Sequence, residues 1–495
     1  MTAAAIWWGL AVYLAVALVI AVLARTGKAQ DMASFFLGSR QMGGVVSALS
    51  YSATTYSAFM MIGLAGLTYA GGVGALGFEM IYLIGVSLVA VFGPRFWAVG
   101  KKYGFVTPSE MLGHRYASKA VAVAVALLSC LFLIPYSAVQ LTGVGYLMSG
   151  MSEGAIAYTT GTVIATLVAV VFAYIAGIRS VAWTDSLQAI LMMLASVAVA
   201  VLVVMALGGF SGMFDKVLAA EPRALSVPGP NGRFDFIGFL GLTIPWFFFS
   251  LSNPQVSQRL FMPASLHAMR RMLLGFMGFG FIYTLIAVLW GFAALAAFPG
   301  LERPDLASPR LLASDMVPPM LGIVVMISIM AAAISTIDSI LLTLASVFAR
   351  DVYANLGKEA NERRQLMVGK IVTPVIALLA FAFAQLQLDL IAVLSVAASA
   401  GLVVSVPAIV GAFFWRSGTA AGALASVIGG GLFVLYAQVT GGVLSLPAGI
   451  WGIVVSSFLF IVVSLLTRAP QALAEEFISE AQRLPADAEH TRASV

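Results

Sequence analysis

Ala331-Ala332-Ala333-Ile334-Ser335-Thr336-Ile337-Asp338-Ser339 is a run of small residues, three hydroxyls and one carboxylate, set inside an apolar stretch from about 318 to 348. A stretch of that length crosses a bilayer as a helix, which takes about 20 apolar residues. A carboxylate at membrane depth is costly, and it faces a cavity, another helix or an ion pathway. Asp338 lies one helical turn beyond Ser335, so carboxylate and hydroxyl share a face. Hydroxyl and carboxylate oxygens are hard ligands, suited to hard cations and not to soft metals. The stretch reads as a membrane helix that handles such a cation.

The rest of the chain is of the same kind. Its 495 residues are 61% hydrophobic and 9% charged, with a mean hydropathy of +1.02. Soluble domains carry about 25% charged residues, so a soluble fold is excluded. The single cysteine, Cys130, allows no intramolecular disulfide, and His114, His267 and His490 are too scattered for a metal cluster. The net charge of +5 would suggest nucleic acid in a soluble protein. Here the placement of the charges matters more than their sum, and no nucleic-acid partner is expected.

Thirteen stretches are long enough for transmembrane helices: about 5–24, 45–70, 75–94, 120–148, 155–176, 181–206, 236–260, 272–298, 318–348, 367–386, 390–414, 419–438 and 447–467. None shows the ten-residue alternation of a membrane barrel. No basic residue precedes the first run, and Arg25 and Lys28 follow it, so it reads as a span and not as a cleaved signal. With the N-terminus outside, the outer loops hold five basic residues, Lys216, Arg223, Arg233, Arg303 and Arg310, and the inner side holds the other 21. That asymmetry obeys the positive-inside rule. It predicts an all-α polytopic inner-membrane protein with a cytoplasmic C-terminus, a membrane domain over 1–467 and a short cytoplasmic tail over 468–495.

Two further spans break the membrane rules. The second holds Ser47, Ser50, Tyr51, Ser52, Thr54, Thr55, Tyr56 and Ser57, and the seventh reads Ile244-Pro245-Trp246-Phe247-Phe248-Phe249-Ser250-Leu251-Ser252-Asn253-Pro254. Prolines 245 and 254 remove backbone donors and obstruct the helical ladder. Broken backbone is tolerated at that depth where it lines a cavity. The two spans are five apart, the spacing of a five-plus-five inverted repeat (spans 2–6 and 7–11, about 45–206 and 236–414) with broken helices 2 and 7 meeting near mid-membrane. The competing reading is that these hydroxyls only back-bond to helix carbonyls and that small residues aid packing.

Few carboxylates lie at depth: Glu79, Asp185 and Asp338, with Asp389 near an edge. Asp185, after Trp183-Thr184 near the inner end of span six, is open to two readings, a cation ligand and an interfacial helix N-cap. Glu79, after the Gly71-Gly72-Val73-Gly74 turn, is either a solute contact or an outer-rim charge, and Trp246 either a solute contact or packing. No Arg or Lys is assigned to mid-depth, which argues against a solute with several negative charges.

At these residues the sequence resembles the sodium:solute symporter family, whose members share the leucine-transporter-type inverted-repeat fold. The likeness runs through Phe35-Phe36-Leu37-Gly38-Ser39-Arg40, Ser47-Ala48-Leu49-Ser50 with Gly63-Leu64-Ala65-Gly66, Trp183-Thr184-Asp185-Ser186-Leu187-Gln188, Asn253-Pro254 with Arg259, and the 331–339 run continuing to Arg350-Asp351-Val352-Tyr353. The resemblance implies a sodium site formed by carbonyls of Ala53, Tyr56 and Ala332 and hydroxyls of Ser335 and Thr336. It implies a second cation or proton site at Asp185, Asp338 and Ser339, with Ser335 alongside. The solute would be contacted by Thr55, Ser57, Glu79, Trp246, Phe247 and Ser250. The proline and pantothenate branches are nearest in pattern, although proline carriers have an aspartate where this chain has Thr55.

The expected activity is sodium-coupled secondary active symport of a small organic solute by alternating access, an amino acid such as proline or a small monocarboxylate of pantothenate type. Na+ is the coupling ion, the bilayer the surrounding partner, and a monomer the working unit. Proton coupling, a sugar-type solute and a transporter-like sensor are the alternatives. The chain has no G-x-x-x-x-G-K-[ST], H-E-x-x-H or G-x-S-x-G, so nucleotide-driven pumping and hydrolysis lack their parts and no enzyme is expected. A channel would favour rings of like residues or a repeated pore loop, and neither is present in the sequence.

Overall fold

A computed structural model describes residues 2–23, 32–175, 178–356 and 361–483, and among them there is no β-strand. Arg25, Lys28, Asp31, Lys358, His490 and Arg492 lie outside the described residues. In chain order the main helices are α1 (Ala3–Leu23), α2 (Gly44–Thr55), α3 (Ala65–Gly71), α4 (Gly74–Val86), α5 (Leu88–Tyr103), α6 (Lys119–Met151), α7 (Tyr158–Ile175), α8 (Ile178–Ala206) and α9 (Phe236–Phe247). They continue with α10 (Leu266–Ala297), α11 (Pro319–Val347), α12 (Glu362–Ala384), α13 (Ile391–Leu402), α14 (Val406–Phe414), α15 (Gly430–Val439), α16 (Ala448–Leu466) and α17 (Gln471–Gln482). Among the described residues nine helical stretches are long and apolar enough to cross a membrane. Four shorter apolar ones, Ala3–Val19, Phe59–Gly71, Tyr158–Ala173 and Phe236–Phe247, fall in the first, second, fifth and seventh expected stretches.

Two of those four are short because the chain leaves the helix. α2 stops at Tyr56 (φ −92°, ψ 72°), and the chain resumes through a π-helical turn, Phe59–Leu64, into α3. In the seventh stretch Pro245 is accommodated inside α9, and the departures from helix fall at Phe248 (φ −88°, ψ 1°) and Asn253 (ψ 114°). Pro254 does not break a helix there. It sits in the first turn of the four-residue helix Pro254–Ser257, whose Gln255 amide is capped by Asn253 Oδ1 at 3.1 Å. Proline suits that position because its missing N–H is an orphan anyway.

α2 packs on α10 and α8, and α8 packs on α11, so the polar second, sixth and ninth stretches meet. Backbone approach is closest where α4 crosses the interruption after α9: a Cβ on Gly85 would lie 2.0 Å from the carbonyl oxygen of Phe247, so only glycine fits. The tail contains an element that its charge conceals. α17 buries Ala474, Phe477, Ile478 and Ala481, the i, i+3, i+4, i+7 stripe of an amphipathic helix. Phe477 stacks parallel to Tyr103 at 6.1 Å and packs on Phe413 at 5.6 Å, while Glu475 pairs with Arg416 at 3.2 Å on the exposed side.

Candidate ion and solute sites

The break after α2 exposes carbonyls to α11. Thr336 Oγ1 donates to the Ala332 carbonyl at 2.9 Å, and lies 3.3 Å from each of the Ala53 and Thr54 carbonyl oxygens. Ala53, Ala332 and Thr336 are fully buried. Four hard oxygens, three carbonyls and a hydroxyl, thus converge between two helices, a donor set suited to a hard cation. Tyr56, where the helix stops, sends its ring away from this point to stack on Phe276, 5.0 Å between centroids. Ser335 is turned elsewhere: its hydroxyl donates to Asp185 Oδ1.

Asp185 lies within α8 and is fully buried, so it is no interfacial cap. Its Oδ2 accepts from Ser50 Oγ at 2.6 Å and lies 3.6 Å from Arg259 Nη2. Arg259 also donates to Ser50 at 2.6 Å, to Ser339 at 2.7 Å and to Thr54. This overturns the expectation that no arginine sits at depth. Arg259 was counted with the inner loops from its place at the end of the seventh stretch. The turn Gln258–Phe261 instead folds it under α2, where it is 5% exposed. The positive charge that a buried carboxylate requires is here a side chain of the protein. Asp338 is 4% exposed, and its Oδ1 has no hydrogen-bond partner among the described residues. Of the expected second-site residues, Asp185 and Ser339 are joined through Arg259, and Asp338 stands beside them.

The expected solute contacts divide. Glu79 is 1% exposed, which removes the outer-rim reading, and its Oε2 accepts from Trp246 Nε1 at 3.1 Å. The Trp246 ring is enclosed by Phe249 (4.7 Å), Phe59 (4.8 Å), Tyr82 (5.6 Å) and Phe78, stacked at 5.6 Å. Thr55 and Ser57 spend their hydroxyls locally, Thr55 on the Tyr51 carbonyl at 2.8 Å and Ser57 as acceptor from the Phe59 amide at 3.4 Å. Ser250 reaches the Gly85 carbonyl at 3.5 Å. Phe247 is half-buried and turns its ring edge-on to Phe248.

Residues passed over in the sequence complete this region. Tyr136 packs on Phe249 at 5.6 Å. The hydroxyls of Tyr56, Tyr82 and Tyr136, Glu79 Oε1 and both amide atoms of Gln140 are buried without hydrogen-bond partners. Buried polar atoms are nearly always satisfied in native proteins, so these groups have hydrogen-bonding capacity left for a further partner. Gln140, a polar residue in the middle of the fourth apolar stretch, was a legible signal of the kind used for the second.

Residues 35–430 match the model of the sodium:solute symporter family. A sodium/pantothenate symporter of Haemophilus influenzae is 28% identical over 428 residues, covering 85% of this chain and 87% of that one. A sodium/proline symporter of Staphylococcus aureus is 28% identical over 493 residues, covering 94% and 93%. The solved structure of a Na+-coupled sialic acid symporter superposes with a TM-score of 0.77 at 19% identity, over 94% of this chain and 98% of that one. At that identity the superposition speaks for the fold.

Proposed function

Since this chain belongs to the sodium:solute symporter family, with Na+ as coupling ion, we propose that it carries a small organic solute, an amino acid such as proline or a pantothenate-like monocarboxylate. Its relatives are transporters, and no catalysis is assigned to it. The observation that carries the reading is the convergence of the Ala53, Thr54 and Ala332 carbonyls on the Thr336 hydroxyl. Sodium would be held there by the carbonyls of Ala53, Tyr56 and Ala332 and the hydroxyl of Thr336. Ser335 would join on leaving Asp185.

In this reading ion and solute binding are linked through the break. Ala53 and Thr54 lie in the last turn of α2, and Phe59, a few residues beyond the break, packs its ring on Trp246. A cation that fixes the break also fixes the start of the next turn, and with it one wall of the Glu79–Trp246 pocket. Each ligand then lowers the ordering cost of the other, which is positive coupling, and the coupling is reciprocal. Glu79 Oε1 and the Tyr82, Tyr136 and Gln140 groups would receive the polar groups of the solute. Thr55, Ser57, Phe247 and Ser250 would shape the pocket through backbone contacts.

The architecture in this proposal has thirteen spans, with repeats at about 45–206 and 236–414, an outer N-terminus and a cytoplasmic tail from 468, working as a monomer in the inner membrane. A second reading, proton coupling at Asp185 and Asp338, is favoured by the unpartnered Asp338 Oδ1. Uptake into proteoliposomes at fixed pH separates the two. Sodium coupling predicts strong uptake with an inward sodium gradient and background uptake in choline. Equal uptake in both media would transfer the role to protons.

A further inference from the structure

Away from the sites above, two cavities adjoin at the end of the bundle where α6 begins. One is a groove of about 700 Å³ on the membrane-facing side between α6 and α15, with Leu127, Leu131, Ile428 and Leu432 along it. The other is a polar pocket of about 540 Å³ that includes Tyr103, Glu110, His114, Arg350 and Asp351. Lys119 and Asn355 line both, so the groove and the pocket meet at these two residues.

The charges in the pocket are unequally committed. Arg350 and Glu110 neutralise each other, with Nη2 and Oε1 2.9 Å apart, and the second Glu110 oxygen accepts from the Val106 amide at 2.8 Å. Asp351 is 1% exposed; its Oδ2 accepts from Thr107 at 2.6 Å, but its Oδ1, in a side chain lining the pocket, has no partner. Lys119 is exposed and makes no ion pair among the described residues. One uncommitted cation therefore stands at the mouth of the pocket, and one carboxylate oxygen without a partner is buried in its wall, next to an apolar trough. A buried carboxylate without a full set of partners is costly, and a donor cation relieves that cost.

We infer that groove and pocket together bind one phospholipid with a primary-amine headgroup. Its ammonium donates to Asp351 Oδ1, its phosphate meets Lys119, and an acyl chain lies along the groove between α6 and α15. An anionic headgroup without an amine satisfies Lys119 but leaves Asp351 unpaired. A trimethylated amine cannot donate a hydrogen bond to the carboxylate.

The test uses the full chain, delipidated in detergent and titrated separately with phosphatidylethanolamine, phosphatidylglycerol and phosphatidylcholine. Bound lipid is read by native mass spectrometry and by the shift in unfolding midpoint, since a ligand of the folded state raises stability by mass action. Phosphatidylethanolamine is expected to bind at least tenfold more tightly than the other two. Asp351→Asn should abolish that preference while leaving phosphatidylglycerol binding unchanged, and Lys119→Gln should weaken both lipids about tenfold. Equal affinity of the unaltered protein for the three lipids overturns the inference, as does a preference that survives in Asp351→Asn. If Asp351→Asn fails to fold, the three-lipid comparison and the exposed Lys119→Gln variant decide it alone, and an unchanged affinity in Lys119→Gln counts against it.

Discussion

Thr336→Ala removes the hydroxyl, together with the γ-methyl, from the point where α2 and α11 meet. The hydroxyl contacts three carbonyl oxygens at 2.9 to 3.3 Å, so its loss subtracts one hard ligand from the proposed sodium site and leaves the carbonyls in place. A hydrogen bond or ligand contact to a charged group is worth about 1.5–3 kcal/mol, and 1.4 kcal/mol is about tenfold in affinity. The half-saturating sodium concentration for uptake should therefore rise by about tenfold to a hundredfold. The fold should survive, because an interhelical hydrogen bond in a membrane protein is worth only about 0.6 kcal/mol on average and alanine is the better helix former. The assay is sodium-dependent uptake in proteoliposomes at saturating solute, beside the unfolding midpoint in detergent. Thr166→Ala is the matched control: Thr166 is buried and its hydroxyl only back-bonds to the Thr162 carbonyl at 2.7 Å. The reasoning fails if Thr336→Ala keeps the sodium curve of the unaltered protein, or if the control shifts it equally.

Other substitutions probe the rest of the structure. Removing one member of the buried Arg259–Asp185 pair strands the other, at a cost of about 3–5 kcal/mol. Arg259→Gln or Asp185→Asn should thus sharply lower the unfolding midpoint and the double variant recover part of it; two single variants as stable as the parent would show that the pair is not held as described. Glu79→Gln should weaken solute affinity while sodium still raises the unfolding midpoint, and Trp246→Ala should do the same with a larger loss for bulkier solutes. Solute affinity unchanged in both would remove that pocket from the solute path. Gly85→Ala drives a methyl into the Phe247 carbonyl and should reduce monodisperse yield through a strain of about 1–3 kcal/mol; normal yield and midpoint would contradict the close approach. Between α10 and α11, burial pushes the Asp305 carboxyl from 3.8 up to about 7, against the Ile391 amide that donates to it, with Asp389 raising it further and Arg303 opposing. The folded state then keeps a proton that the unfolded chain releases, so this group's contribution to stability is present below about pH 4 and lost as pH rises to about 7. Asp305→Asn should flatten the unfolding midpoint across that window, and an unchanged pH profile would count against it.

The helical stretches and the break in the second were legible because length and depth speak directly: an apolar run of about 20 residues spans, and a Ser-Thr cluster within one stands out. The approach of Thr336 to the end of α2 was visible for the same reason, whereas Ser335, expected beside it, turns its hydroxyl to Asp185. Arg259 was misassigned because a cation at the end of an apolar run looks the same whether it reaches out to water or folds inward. What decides is the turn Gln258–Phe261 and a carboxylate 74 positions earlier in the chain, at Asp185. Prolines 245 and 254 marked the right region but not the residues that leave the helix, because a proline in a first turn or near a helix end is compatible with helix. α17 was hidden by its charges; its apolar stripe appears only when read at a period of 3.6.

The packing of α17 bears on how such a molecule can move. Phe477, fully buried, lies among Tyr103 and His114 from the first part of the chain and Phe413 from the second. Emptying a buried phenylalanine site costs about 3–5 kcal/mol, a population penalty of roughly a hundredfold or more. A rocking motion that pried α5 from α14 at this end would meet that penalty on every cycle. A motion that keeps the cluster closed escapes it, and then the cluster acts as a fulcrum. Displacement grows with distance from a fulcrum, as along a lever. Small rotations at the α17 end become the largest excursions at the opposite mouth of the bundle, and distance probes placed there should record the widest spread of conformations.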